Sequence, residues 1–202
     1  MIDHKLRPLI DPPLNSLAKI LAGKGLKANQ VTVTGFLIGL TAMPLIAIQY
    51  YDLALLAVVL NRVADGLDGA LARILGPTNV GAYLDIVLDF IFYSATIFAF
   101  ALVDPGNALS AALLIFSFVG TGSSFLAMSV FAEKLGLSTQ AQGAKSLYYL
   151  SGLTEGFETI LILILMCLLP EWFVFLATLF AILCWITTVS RIRQSCRLLA
   201  GS

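Results

Sequence analysis

A chain of 202 residues with 59% hydrophobic and only 12% charged side chains is far more apolar than a soluble domain of its length, and its solvent is lipid. Lys+Arg and Asp+Glu both number 12, so the net charge is zero, and with no basic tract to follow a phosphate backbone nucleic acid is excluded as a partner. The three cysteines, Cys167, Cys184 and Cys196, form no C-x-x-C pair and cannot build a zinc site with the single His4, so they read as core thiols.

Residues 1–27 read as a juxtamembrane segment ahead of a six-helix domain over 28–202. The segment opens with charge and proline from Met1 to Pro8 and lacks the short apolar core of a secretory leader, so no cleavage is expected. Over residues 3–23, Leu6, Leu9, Ile10, Leu14, Leu17, Ala18 and Leu21 alternate with polar positions. This predicts an interfacial amphipathic helix, interrupted near Pro12-Pro13.

Apolar stretches follow at 30–50, 53–74, 81–103, 108–132, 146–169 and 172–195, each near the roughly 20 residues a helix needs to cross about 30 Å of hydrocarbon. Turn chemistry separates them at Tyr50-Tyr51-Asp52, Gly76-Pro77-Thr78-Asn79, Asp104-Pro105-Gly106-Asn107, Gly136 to Gly143 and Pro170-Glu171. The expected fold is all-α, a polytopic membrane protein with six transmembrane helices. Lys5, Arg7, Lys19, Lys24 and Lys27 precede the first span, Arg62 and Arg73 lie by the second junction, and Lys134 and Lys145 flank the fourth-to-fifth loop. Arg191, Arg193 and Arg197 close the chain. Every basic residue thus falls on one side, which by the positive-inside bias places both termini and the site described next at the cytoplasmic face of the inner membrane.

The second span carries Asn61-Arg62-Val63-Ala64-Asp65-Gly66-Leu67-Asp68-Gly69-Ala70-Leu71-Ala72-Arg73. A charge at the bilayer centre costs from about 2.5 kcal/mol upward, so ionisable residues inside spans turn inward and mark function. Asp65 and Asp68 are i, i+3, and Asn61 and Gly69 share their face. On the third span Gly81, Asp85 and Asp89 repeat at i, i+4, i+8 and form a second stripe. Four carboxylates on adjacent antiparallel helices repel one another unless a cation neutralises them, and oxygen-only ligands select a hard ion such as Mg²⁺ or Mn²⁺. Two such ions about 3.5 to 4 Å apart clamp a phosphoryl group during displacement of one oxygen by another. Gly66 suits close helix packing, whereas Gly69 and Gly81 suit approach of a ligand to the backbone. Arg62 is expected to snorkel to headgroups.

The order Asp65-x-x-Asp68-Gly69-x-x-Ala72-Arg73, then Gly81-x-x-x-Asp85-x-x-x-Asp89, resembles the signature of the CDP-alcohol phosphotransferases, and Asn29-x-x-Thr32-x-x-Gly35 is similar to that family's N-terminal element. The resemblance covers nearly the whole chain. It implies that metal binds the diphosphate of a CDP-linked donor, that an acceptor hydroxyl attacks the β-phosphorus, and that CMP leaves. It implies metal ligation by Asp65, Asp68 and Asp85, and general-base catalysis by Asp89, which also shares in metal binding. Gly69, Ala72, Arg73 and Gly81 would line the nucleotide pocket together with Asp65 and Asp68, and Asn29 and Thr32 would join them. A homodimer is implied as well.

The acceptor side is less legible. Lys145 falls where family members place a basic residue facing the acceptor. On the fifth span Glu155 is expected about 13 Å inside the start of the helix, sharing a face with Lys145, Tyr148 or Tyr149, Gly152 and Thr159. Thr187, Thr188 and Arg191 form a comparable face on the sixth span. Lys145, Arg191 and Arg193 would suit a phosphorylated acceptor, Glu155 and Glu158 hydroxyls or an amine, and a Glu155 or Glu158 pair with Arg191 would be structural. The expected enzyme is a phospholipid-synthesising transferase with CDP-diacylglycerol as donor and a small polar alcohol as acceptor. Transfer of a CDP-headgroup to diacylglycerol is the alternative within the class. An ion or metal transporter is the alternative outside it, though no inverted repeat is visible and the Asp cluster occurs once.

Overall fold

The computed structural model describes the backbone of residues 3–136 and 153–200, with side chains from Asp11 onward. The described residues are helical, with no strand among them. Helix α1 spans Asp3–Gly23, α2 Ala28–Leu40, α3 Ala42–Ala47, α4 Tyr51–Leu75, α5 Asn79–Val103, α6 Ala108–Lys134, α7 Gly156–Leu168 and α8 Phe173–Ala200. Short 3₁₀ turns at Pro105–Asn107 and Pro170–Trp172 lead into α6 and α8, each with Pro supplying the fixed φ of the first position.

Four helical stretches are long and apolar enough to cross a membrane: Ala28–Ala47, Asn79–Val103, Pro105–Lys134 and Pro170–Ala200. Large apolar side chains such as Leu37, Phe98, Phe116, Val130, Phe175 and Ile182 are exposed along them, as a lipid-facing surface requires. Helix α4 has the length but carries Asp52, Arg62, Asp65, Asp68 and Arg73, so its polarity sets it apart from those four.

The structure corrects several expected boundaries. The first apolar stretch is two helices, because Pro44 has no N–H to offer Leu40 and its ring crowds that carbonyl. The break is slight: Thr41 stays right-handed at φ −64°, ψ −18°, and its N–H tightens onto Ile38 O. Helix α1 runs through Pro12-Pro13 without the expected interruption, and Ser16 Oγ donates to Pro12 O at 3.0 Å. Helix α7 begins only at Gly156, and Glu155 is its N-cap in extended conformation (φ −128°, ψ −171°). Glu155 therefore does not lie inside a helix as expected. Its N–H donates to Glu158 Oε2 at 3.1 Å, so Glu158 satisfies an orphan donor at the helix start.

Two apolar clusters hold the bundle. The larger joins α3, α4, α5, α6, α7 and α8 around Phe92, Phe100, Leu114, Leu163 and Phe173, with the Phe100 and Phe173 rings stacked at 4.5 Å. The smaller joins α1, α2 and α4 through Ala18, Val31, Leu67, Ala70 and Leu71. Helix α2 packs along α4 and α5, and α1 along α4. The polar stripe of α4 is thereby sandwiched between α2 and α5.

Candidate metal centre and active site

The α4–α5 connection is short and well capped. Gly76 takes φ +95°, which only glycine adopts freely, Pro77 follows, and Thr78 Oγ1 accepts the Gly81 N–H at 3.0 Å to start α5. This turn sends α5 back antiparallel to α4, and the Asp65, Asp68 stripe of α4 faces the Asp85, Asp89 stripe of α5 across a cleft. Asp65, Asp68 and Asp85 each place a carboxylate oxygen within 4.8 Å of the others.

Asp68 is buried, and its Oδ2 has no hydrogen-bond partner. An unsatisfied buried carboxylate oxygen is costly unless a cation completes it. Three convergent hard oxygen donors, one of them orphaned, fit a divalent ion of the Mg²⁺ or Mn²⁺ class. The cluster lines a cleft whose walls include Thr32, Phe36, Asn61 and Leu88.

Asp89 borders the same cleft but is engaged otherwise. Its Oδ1 accepts from Arg62 Nη2 at 2.6 Å and its Oδ2 from the Tyr93 hydroxyl at 2.6 Å. Arg62, expected to snorkel outward, points inward instead: its side chain is 18% exposed, lies 3.4 Å from Asp65 and donates through Nε and Nη2 to Asn61 Oδ1. The reason is local charge, since the Asp65 and Asp89 carboxylates on the inner side hold the guanidinium there. Tyr93 went unnoticed in the sequence. The signal was present, because it continues the Gly81, Asp85, Asp89 stripe by one further turn.

Among the residues expected at the nucleotide, Gly69 leaves open space, where an added Cβ would meet only Arg73 Nη1, at 3.7 Å. Arg73 is exposed and reaches Asn15 Oδ1 on α1 at 3.3 Å, with Asp11 at 3.9 Å, and Ala72 precedes it half-buried. Thr32 stands beside Asp68 in the cleft wall. Gly81 is a close-packing position: a Cβ there would come within 2.8 Å of Asn29 Oδ1, which brings Asn29 and Gly81 together at the mouth of α2 and α5. Gly66 packs against Leu14 of α1, as expected.

On the acceptor side, Arg191 is buried on α8, donates to Thr121 O at 3.2 Å and sits 5.7 Å over the Phe125 ring. Thr187 receives the Thr154 N–H at 3.1 Å, so the start of α7 is pinned to α8. Lys145 lies outside the described residues, as do Gly143 to Gly152 of the expected polar face.

A bundle with an apolar exterior and a cleft of convergent carboxylates defines an integral membrane protein with a site for a hard metal ion. Residues 26–190 match the CDP-alcohol phosphatidyltransferases, and the chain belongs to that family. It is a metal-dependent membrane transferase of phospholipid biosynthesis that moves a phosphatidyl group from a CDP-linked donor to an alcohol. It is 47% identical over 193 residues to the inner membrane protein YnjF of Escherichia coli (strain K12), covering 95% of this chain and 94% of that one. It is 37% identical over 99 residues to the archaetidylinositol phosphate synthase of Pyrococcus horikoshii, covering 48% of this chain and 53% of that one. Its fold matches the crystal structure of Mycobacterium tuberculosis phosphatidylinositol phosphate synthase with CDP-DAG bound, with TM-score 0.72, 22% identity, and 90% of this chain and 92% of that one covered. The same enzyme in complex with manganese and citrate gives TM-score 0.72 at 22% identity, covering 90% of this chain and 88% of that one.

Proposed function

We propose that the donor is CDP-diacylglycerol and the acceptor a small polar alcohol carrying a phosphate. The observation that carries the reading is the triad Asp65, Asp68 and Asp85 with its orphaned Asp68 oxygen, set between α4 and α5 beside Asp89. A divalent ion there would neutralise the donor diphosphate and the charge that develops on departing CMP. Asp65, Asp68 and Asp85 hold and orient the donor through that charge. Asn29, Thr32, Gly69, Ala72, Arg73 and Gly81 border the nucleotide, the open backbone at Gly69 admitting it closely. Asp89 takes the proton of the acceptor hydroxyl as a new oxygen–phosphorus bond forms at the β-phosphorus, and the bond to CMP breaks with its electron pair.

Two of the relatives named above are an archaetidylinositol phosphate synthase and a phosphatidylinositol phosphate synthase, the latter crystallised with CDP-DAG, which supports this donor. The buried Arg191 guanidinium favours a phosphorylated acceptor, with Lys145 and Glu155 completing its site, and Glu158 is occupied with the α7 start. Six spans, with α4 and the α7 region as the polar and the short crossing, put the cleft and both termini at the cytoplasmic face. Helix α1 then lies along the interface, and the enzyme works as a homodimer with two ions per site.

The test is CMP release from CDP-diacylglycerol by the purified protein with glycerol 3-phosphate, inositol phosphate, serine or glycerol as acceptor. Release with a phosphorylated acceptor is expected. Release only from a CDP-headgroup in the presence of diacylglycerol would reverse the donor assignment.

A further inference from the structure

Asp89 is gripped at both oxygens by side chains from two helices, Arg62 of α4 and Tyr93 of α5, each at 2.6 Å. Charge-assisted bonds of this length are about twice as strong as neutral ones. Arginine can only donate, so the 3.2 Å contact between Arg62 Nη1 and the Tyr93 hydroxyl runs from arginine to tyrosine. That leaves the single Tyr93 proton directed at Asp89. Arg62 and Tyr93 thus each supply one donor to Asp89, and each Asp89 oxygen keeps a lone pair.

The clamp is itself anchored. Asn61 Oδ1 accepts from Arg62 Nε at 3.1 Å and Nη2 at 3.0 Å, and Asn61 Nδ2 donates to Gly35 O of α2 at 3.0 Å. The guanidinium lies 5.9 Å over the Phe92 ring and 5.6 Å over that of Tyr93, and the buried Tyr93 meets Phe118 of α6 edge-on at 6.3 Å. An aspartate facing three other carboxylates and any ion they hold has two competing orientations, toward the ion or toward the acceptor. Four helices here converge on one of them.

We propose that Arg62 and Tyr93 are positioning residues of the transfer reaction, holding the Asp89 carboxylate beside the metal cluster and aimed at the acceptor hydroxyl. The inference rests on the reading of Asp89 as the base. Its physical content is preorganisation: a carboxylate locked in a productive orientation spares the entropy of finding it in each turnover.

Single-turnover CMP release by the full chain with Mn²⁺, CDP-diacylglycerol and the acceptor found in the screen tests it, with Mn²⁺ and CDP affinity measured by calorimetry beside it. Tyr93→Phe removes one hydroxyl from a ring that keeps its packing, and should slow release by about 10-fold or more with CDP and Mn²⁺ affinity held within about 2-fold. Asp89→Asn should lose about 10² to 10⁴. In the Asp89→Asn background, Tyr93→Phe should cost nothing further, because it acts through Asp89, whereas a purely structural tyrosine would show the same loss in both backgrounds. Arg62→Lys keeps the charge but cannot reach Asn61, Tyr93 and Asp89 together, so it should be at least as slow as Tyr93→Phe. Full rate in Tyr93→Phe or Arg62→Lys alongside a slow Asp89→Asn, or equal Tyr93→Phe losses in both backgrounds, would overturn the clamp alone. Full rate in Asp89→Asn would overturn the base reading beneath it.

Discussion

Asp68 has the least tolerable environment of the acidic set, since it is 7% exposed and its Oδ2 has no partner in the protein. A cation that binds only the folded state stabilises it by mass action, so millimolar Mn²⁺ should raise the wild-type melting temperature in detergent. Asp68→Asn should lose most of that rise, and an Mn²⁺ response as large as wild type would show that the ion sits elsewhere. Asp65→Asn and Asp85→Asn remove ligands from the same cluster and should lower turnover by several orders of magnitude, with EDTA abolishing it. Undiminished CMP release after exhaustive chelation would remove metal from the chemistry.

Helix α2 approaches α4 closely because glycine faces it twice. A Cβ on Gly35 would collide with Ala64 Cβ, and one on Gly39 would lie 2.8 Å from Asn61 Cβ. The spacing is the small-xxx-small pattern by which membrane helices bring backbones together. The same closeness lets Asn61 reach Gly35 O, so the packing supports the catalytic side as well. Gly35→Ala should destabilise by about 1–3 kcal/mol, because the clash is with a side-chain stub on a helix that cannot swing away. Thermal unfolding in detergent measures it, and an unchanged midpoint would mean α2 and α4 are further apart in the membrane. Sequence periodicity located α5, α6 and α8 to within a few residues, since a long apolar run bounded by turn residues has one economical reading. It did less well at α7, where the polar residues Thr154 to Glu158 form a capped helix start and not part of a continuing helix.

At the scale of the whole molecule, among the described residues, Arg73 lies near the α4–α5 turn and Arg193 and Arg197 lie in the last turns of α8. By the positive-inside bias we propose that the α4–α5 turn faces the cytoplasm. A single cysteine introduced at Thr78, in a chain cleared of Cys167, Cys184 and Cys196, should react with an impermeant maleimide only after the cells are opened. Labelling in sealed cells would invert the topology.

The sequence by itself carried the acidic site and the motif. Carboxylates at i, i+3 on one apolar run and i, i+4 on the next each form one stripe, and in lipid such clustered charge calls for a cation, so a hard-metal site was legible from spacing and solvent, while the CDP-linked donor was implied by the motif's resemblance to the CDP-alcohol phosphotransferases. It also marked Gly66 as a packing position, which the Leu14 contact from α1 bears out. Helical spacing reports which residues share a face of one helix and says nothing about which neighbour that face meets. Three assignments therefore waited for the tertiary structure: Arg62 turns inward, Asn29 fills the space at Gly81, and Tyr93 closes on Asp89. Each depends on how far α2, α4 and α5 slide along one another, and a slide of one residue, about 1.5 Å, is enough to break bonds of this length.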